Sequence, residues 1–135
     1  MKTLFIDTAG WMACADAADA AHVPAMAARD GWLDGGGDLL TTDYVVDETL
    51  TLLRMRLGLP AAERWWEQVE GSRVLRWESI DTTRAGKARA LFFRFRDKSY
   101  SFTDCTSFVV MRELGLREAL TTDRHFVQAG FGIRP

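Results

Sequence analysis

Short apolar segments alternate with longer helix-forming segments along almost the whole chain, and this alternation restricts the fold most. The predicted strands are residues 4–6, 39–41, 74–77, 119–121 and 132–133. Strands that alternate with helices pair in parallel, because each crossover between parallel strands needs a long connection, usually a helix. The chain of 135 residues also has the size of one domain. We therefore predict a single α/β domain over residues 1–135, with a parallel sheet between helices.

Helix-forming segments connect the predicted strands, and polar residues, proline or glycine mark their ends. The predicted helices are 11–21, 25–33, 44–57, a segment that begins at Pro60, a segment from the cap 81–83 to about 96, 102–114, and a turn at 125–129. In the third of these, apolar residues recur every three or four positions, which predicts one buried stripe. They are Val46, Leu50, Leu53 and Leu57.

The composition excludes several classes of protein. The net charge of −2, from 17 Lys and Arg against 19 Asp and Glu, excludes a uniformly basic nucleic-acid coat. The longest apolar run, residues 11–15, is far shorter than the roughly 18 residues that a membrane span needs. Two cysteines cannot build a disulfide framework, and the N-terminal residues lack the pattern of a signal peptide. We expect a cytoplasmic protein.

Four acidic residues occupy positions where parallel α/β folds carry ligand sites. Asp7 and Asp123 follow predicted strands, and ligands of open parallel sheets bind outside the C-terminal ends of strands. Asp104 lies near the start of its predicted helix, and Glu48 lies in the second turn of its own. A helix N-terminus stabilises a carboxylate by about 0.3–1 kcal/mol. Each acid alone also fits an ordinary structural role as a cap, a turn residue or a solvated side chain.

Convergence of these four acids would require a counter-charge. Two unit charges roughly 4 Å apart repel by about 4 kcal/mol at an effective dielectric of about 20, so the cluster needs a cation or must hold protons. An all-oxygen set favours Mg²⁺ or Mn²⁺ over zinc. Both histidines are too isolated for a zinc site, and we expect His125 to pack on, or cap, the turn after Asp123. Without the four acids the remaining charge is +2, which suits a polyanionic substrate.

Four segments resemble the PIN-domain ribonucleases, in particular the VapC-like toxins of bacterial toxin–antitoxin pairs. They are Phe5-Ile6-Asp7-Thr8, TTDYVVDETL at 41–50, SFTDCTSF at 101–108 and LTTDRHF at 120–126. The segments follow one another with family-like spacing and span nearly the whole chain. The last two are the more specific.

The resemblance implies a fold, a metal site and partners. The fold is a three-layer sandwich with a parallel central sheet, and the catalytic, metal-binding residues are Asp7, Glu48, Asp104 and Asp123, holding one or two Mg²⁺ or Mn²⁺ ions. Asp7 and Asp104 are implied as direct ligands, with the other two acting partly through water. Thr8 and Ser107 match supporting hydroxyl positions. Family members usually form homodimers that a small DNA-binding antitoxin holds inactive, and they hydrolyse RNA phosphodiester bonds.

Two acids depart from the family pattern. Asp43 stands where relatives often carry Asn, which is expected to add negative charge near the pocket. Asp47 is a rival to Glu48, although neighbouring residues of a helix point about 100° apart. Glu48 fits the family pattern, and we retain it.

Basic and aromatic residues are interleaved between positions 84 and 100. Basic side chains contact phosphates and aromatic rings stack on unpaired bases, although helical spacing of the apolar residues equally fits a solvated face over a core. We expect substrate contacts from basic residues of this segment and from one basic residue beside Asp123. The candidates are Arg84, Lys87, Arg94, Arg96, Lys98 and Arg124.

Two alternative functions remain open at this point. One is another metal-dependent phosphohydrolase; enzymes similar to haloacid dehalogenases usually carry Asp-x-Asp after the first strand, and Asp7-Thr8-Ala9 lacks the second acid. The other is a catalytically inactive PIN-like module that binds RNA or protein. Such modules often lose an acid, whereas all four are present here.

Overall fold

The centre of the protein is a sheet of parallel strands, as the sequence predicts. The computed structural model describes residues 2–135, so Met1, the first residue of the predicted domain, lies outside the described residues. The strands are β1 (Thr3–Ile6), β2 (Asp38–Thr42), β3 (Leu75–Glu78), β4 (Glu118–Leu120) and β5 (Gly132–Arg134). Their order across the sheet is β3-β2-β1-β4-β5, and all four pairings are parallel. The predicted α/β class with a parallel central sheet is therefore confirmed.

Helices connect the strands and flank the sheet. Those in residues 2–135 are α1 (Thr8–Ala15), α2 (His22–Asp34), α3 (Asp43–Leu57), α4 (Leu59–Gly71), α5 (Thr82–Arg94), α6 (Phe102–Glu113) and α7 (His125–Gln128). The side chains of Thr42, Asp81 and Ser101 cap α3, α5 and α6, because each accepts a hydrogen bond from a backbone N–H in the first turn of its helix. Within this described part of the chain, no helix combines the length and the apolar character that a membrane crossing requires.

Two local predictions were wrong. The predicted helix 11–21 begins earlier, at Thr8, because Asp7 caps it directly after β1, and it ends at Ala15 because Asp16 has an extended backbone. The stripe on α3 is not buried along its whole length, since Leu57 at the end of the helix is 40% exposed.

The turn between β1 and α1 is held tightly against the neighbouring strand. The side chains of β1 from Leu4 to Ile6 are fully buried, as expected for a central parallel strand covered on both faces. Gly10 in α1 lies so close to β4 that an added Cβ would meet the carbonyl oxygen of Leu120 at 2.0 Å. This contact fixes where Asp7, between β1 and α1, lies relative to the end of β4.

The chain builds the sheet outward from β1 in two directions. β2 and β3 lie on one side of β1, and β4 and β5 lie on the other. A crevice opens where such a strand order reverses, at the C-terminal ends of the strands. Here that point lies between the ends of β1 and β4, and Asp7 and Asp123 follow those two strands.

Candidate active site

Asp7 is the buried acid of the site. The residue is 5% exposed; its Oδ1 accepts a hydrogen bond from the Gly10 N–H at 2.9 Å and its Oδ2 accepts one from the Thr121 hydroxyl at 2.9 Å. Burial raises the pKa of Asp7 from 3.8 to about 8, opposed by these two hydrogen bonds and reinforced by the charges of Asp104 and Asp123. Without a nearby cation, Asp7 therefore holds a proton at neutral pH.

Asp104 is fixed by the start of α6. The Ser101 hydroxyl accepts a hydrogen bond from the Asp104 N–H at 3.0 Å, and Asp104 Oδ2 accepts one from the Ser101 N–H at 3.1 Å. This reciprocal capping box holds the carboxylate at the N-terminal end of the helix. Burial raises the pKa of Asp104 to about 6; the charge of Asp123 adds to the rise, while the Ser101 hydrogen bonds and His125 lower it.

Asp123 and His125 form the third part of the site. Asp123 Oδ1 accepts a hydrogen bond from the His125 N–H at 2.9 Å, and the same oxygen lies 2.8 Å from His125 Nδ1. His125 Nδ1 also lies 3.5 Å from Asp104 Oδ2. The ring packs edge-on against Tyr100, consistent with the packing role expected from the sequence. Sequence reasoning missed its contact with two acids; the signal available was its position two residues after Asp123.

These residues and the other predicted acid and hydroxyl residues line one cavity of about 410 Å³. Its lining includes all four predicted acids, His125, and the two predicted hydroxyl residues. Thr8 is 8% exposed and Ser107 is 1% exposed, and the hydroxyl oxygen of each is buried without a hydrogen-bond partner. Buried polar atoms without partners are rare in folded proteins, so these two hydroxyls are free for water or for a ligand in the cavity.

The structure separates Glu48 from its neighbouring acids. Glu48 is half-buried and lines the cavity, whereas Asp47 is exposed and does not line it. Asp43 does not line it either, because its Oδ1 accepts a hydrogen bond from the Ile80 N–H at 2.9 Å. The negative charge expected near the pocket from Asp43 is thus used to hold the segment after β3.

The predicted substrate-binding residues divide into two groups. Arg84 and Lys87 bind Glu113 at 3.0 and 3.2 Å. Glu113 lies nine residues beyond Asp104 on α6, roughly 14 Å along the helix axis, so the structure does not bring this pair to the cavity. The second group is exposed and lies outside the cavity lining: Arg94, Arg96, Lys98 and Arg124.

Arg56 is a cavity residue that sequence reasoning missed. It is exposed in the last turn of α3 and lines the cavity together with Glu48 and Leu52. These three residues are four positions apart, so they lie along one row of the helix. This spacing was the signal that could have identified Arg56 once Glu48 was chosen.

The donor set of the cavity fits a divalent cation. Among residues 2–135, no Lys or Arg forms an ion pair with Asp7, Asp104 or Asp123. Donor atoms of Asp104, Asp123 and His125 all lie within 4.8 Å of one another. Carboxylates that face one another without a basic partner, beside hydroxyls without partners, suit a bound cation. His125 contributes one imidazole nitrogen to this group, beside the carboxylate oxygens that the sequence predicts.

Comparison with known proteins yields a family and close relatives. Residues 4–132 match the family described as PIN domain. The 23S rRNA-specific endonuclease VapC20 of Mycobacterium tuberculosis is 35% identical over 133 residues, which are 98% of each chain. A VapC ribonuclease of Archaeoglobus fulgidus is 39% identical over 82 residues, 60% of this chain and 51% of that protein.

Solved structures share the fold. The crystal structure of M. tuberculosis VapC20, described as a toxin that cleaves the sarcin–ricin loop, matches with a TM-score of 0.87 and 34% identity, over 98% of this chain and 99% of that chain. The structure of FitAcB from Neisseria gonorrhoeae matches with a TM-score of 0.70 and 16% identity, over 98% and 96% of the two chains, which shows likeness of fold alone.

Proposed function

The chain belongs to the VapC-like branch of the PIN-domain family, and we propose that it is a metal-dependent endoribonuclease acting as the toxin of a type II toxin–antitoxin pair. The observation that carries this proposal is the cavity lined by Asp7, Glu48, Asp104 and Asp123. These acids come from four separate parts of the chain, and the buried Asp7 retains a proton unless a cation is near. Similarity along 98% of the chain to an rRNA-specific endonuclease favours RNA over other phosphate esters.

We propose Mg²⁺ or Mn²⁺, as one or two ions, held directly by Asp7 and Asp104, with Asp123 close enough to Asp104 to join them. Glu48 lines the same cavity and would act partly through water. When bound, such an ion supplies Lewis acidity, which lowers the pKa of water and offsets charge that develops on the phosphodiester. Binding requires Asp7 to give up the proton that burial otherwise retains, so protons compete with the ion.

The protein side chains then have distinct tasks. The hydroxyls of Thr8 and Ser107, buried and without partners, are placed to orient water or a phosphate oxygen. We assign to Glu48 the acceptance of a proton from the attacking water. Direct attack by water on phosphorus needs no covalent enzyme intermediate, and it leaves 5′-phosphate and 3′-hydroxyl ends.

Phosphate groups near the cut require basic contacts. Among the described residues that line the cavity, Arg56 is the one Arg or Lys, and it forms no ion pair with a described acid. We propose that it binds a phosphate next to the scissile one. The exposed residues outside the cavity are proposed to contact RNA farther from the cut: Arg94, Arg96, Lys98 and Arg124. Arg84 and Lys87 are left out of this proposal because both pair with Glu113, away from the cavity.

We also propose a cognate antitoxin and a homodimer. The description of VapC20 as a toxin supports the first of these for a near full-length relative. For the second, Phe93 is 65% exposed and its ring packs edge-on against Phe92, which is 39% exposed. Large apolar side chains exposed together are typical of surfaces that a second protein subunit covers.

Cleavage of RNA by the purified chain tests the proposed function. Antitoxin-free protein is incubated with total RNA and with a sarcin–ricin-loop RNA in Mg²⁺, Mn²⁺ or EDTA, and the RNA ends are mapped. We expect cuts at defined positions that need metal and disappear in Asp104→Asn. Asp47→Asn is the matched control, because this acid is exposed outside the cavity.

Three outcomes would contradict the proposal. Cleavage that survives both EDTA and Asp104→Asn would show that the acidic cavity is not the source of the activity. Folded protein that binds metal but cuts no RNA would favour the inactive binding module, and release of phosphate from small phosphate esters would favour a different phosphohydrolase.

A further inference from the structure

His125 is held on both sides of its ring. On one side, Nε2 lies 2.8 Å from the Ser99 hydroxyl oxygen. On the other side, Nδ1 faces Asp123 Oδ1 at 2.8 Å and Asp104 Oδ2 at 3.5 Å. The Nδ1 atom is buried and makes no hydrogen bond. The ring therefore directs an unsatisfied nitrogen toward two carboxylates.

The contact with Ser99 leaves Nδ1 available in one of the two tautomers of the neutral ring. When Nε2 carries the proton and donates it to the Ser99 oxygen, Nδ1 keeps its lone pair. Metal-binding histidines commonly have this arrangement, in which the second ring nitrogen donates to a neighbouring oxygen and so fixes the tautomer and the ring orientation. Ser99 is an exposed residue in the loop before α6 and lines the cavity with His125.

A lone pair on Nδ1 and the oxygen lone pairs of Asp123 repel one another at 2.8 Å unless a positive charge lies near both. The same cavity contains Ser107, which is 1% exposed and has a hydroxyl oxygen without a partner. Two independent polar groups thus point to a ligand beside the acids. The donor atoms of Asp104, Asp123 and His125 lie close enough together to share a single ion.

We propose, resting on the proposed function, that His125 Nδ1 is a direct ligand of the catalytic cation beside Asp104 and Asp123. One imidazole nitrogen among carboxylate oxygens shifts the preference of a site away from Mg²⁺, which binds oxygen almost exclusively, and toward Mn²⁺. Between the two proposed ions, this site therefore prefers Mn²⁺, and His125 is the residue that sets this preference.

Mn²⁺ itself is the probe in the test. Electron paramagnetic resonance reports its binding to the full metal-free chain, and pulsed measurements detect magnetic coupling to a directly bound nitrogen. We expect imidazole ¹⁴N coupling in the unaltered protein that is replaced by ¹⁵N coupling after labelling with ¹⁵N-histidine. His125→Gln should abolish the coupling and weaken Mn²⁺ binding tenfold or more, with a smaller loss for Mg²⁺.

His22→Gln is the matched control, because the chain has two histidines and His22 Nδ1 lies 2.8 Å from the Ala13 carbonyl oxygen, outside the cavity lining. It should leave both the coupling and the Mn²⁺ affinity unchanged. His125→Asp supplies an oxygen donor at the same position and should lower the ratio of Mn²⁺ to Mg²⁺ affinity relative to the unaltered chain.

The outcomes separate this inference from the proposed function. Mn²⁺ bound without nitrogen coupling, with RNA cleavage intact, overturns the role of His125 and leaves the nuclease standing; a ring that only forms an ion pair with Asp123 gives this result. Equal loss of Mn²⁺ and Mg²⁺ affinity in His125→Gln overturns the claim about metal preference. Absence of any Mn²⁺ binding, together with absence of cleavage, overturns both proposals.

Discussion

Replacing Asp7 by Asn should stabilise the metal-free protein at neutral pH. The pKa of Asp7 is raised to about 8 by burial, while in the unfolded chain it returns to its ordinary value near 3.8. Between these values the folded state holds one proton more than the unfolded state, so the free energy of unfolding falls as pH rises. The stabilising contribution is complete below pH 3.8 and is lost progressively up to about pH 8.

The magnitude follows from the width of this interval. Each pH unit costs about 1.4 kcal/mol, so the metal-free protein loses roughly 4 kcal/mol of stability between pH 4 and pH 7 through Asp7 alone. Asn resembles the protonated acid in shape and retains the cap on the Gly10 N–H. Its amide must replace the contact with the Thr121 hydroxyl, at a cost on the order of 1 kcal/mol.

Urea denaturation in EDTA at pH 4, 5.5, 7 and 8 measures the effect. We expect Asp7→Asn to be close to the unaltered chain at pH 4 and more stable by a few kcal/mol at pH 7. Asp47→Asn makes the same change in charge at an exposed site and should show no such trend. A stability difference that does not grow with pH, or an Asp7→Asn variant that is less stable at pH 7, would refute the argument.

Three further predictions concern the cation, the substrate and the fold. Saturating Mg²⁺ or Mn²⁺ should raise the melting temperature of the unaltered chain more at pH 8 than at pH 6, because protons on Asp7 compete with the ion. Calorimetry measures this rise, and an equally large difference between the two pH values in Asp7→Asn would contradict the prediction. Arg56→Gln should raise KM for RNA about tenfold with little change in kcat. Arg54→Gln should leave KM unchanged, because Arg54 is exposed on the same helix but lies outside the cavity lining; steady-state cleavage kinetics distinguish the two variants. Gly10→Ala should lower the free energy of unfolding by about 3 kcal/mol, because the new methyl group meets the backbone oxygen of Leu120. An unchanged midpoint of urea denaturation would contradict this and show that the turn between β1 and α1 can shift to make room.

The strands and helix starts could be predicted because they depend on local chemistry. A run such as Leu4-Phe5-Ile6, bounded by Asp7, is apolar on both faces and fits only a covered strand. The hydroxyls of Thr42 and Ser101 accept hydrogen bonds from backbone N–H groups three residues later, in the first turns of α3 and α6. The local sequence therefore contains the whole signal for where each helix begins.

Contacts between distant helices could not be predicted in the same way. Lys87 binds Glu113, 26 residues away, because α5 packs against α6, and no local pattern encodes that pairing. The direction of His125 depends on the backbone of the turn after β4, where Asp123 accepts the His125 N–H. The role of Arg56 could not be predicted without knowing which face of α3 lines the cavity.

The hydrogen bond from Thr121 to Asp7 joins residues 114 positions apart. No stretch of this chain that stops before β4 contains the complete acidic site, however well β1, β2 and β3 have paired. Closing so long a loop is entropically costly and slow relative to local helix formation. The site therefore cannot form until β4 has joined the sheet, and a partly made or truncated chain that stops before β4 lacks it. The topology itself thus makes the complete site depend on both ends of the chain.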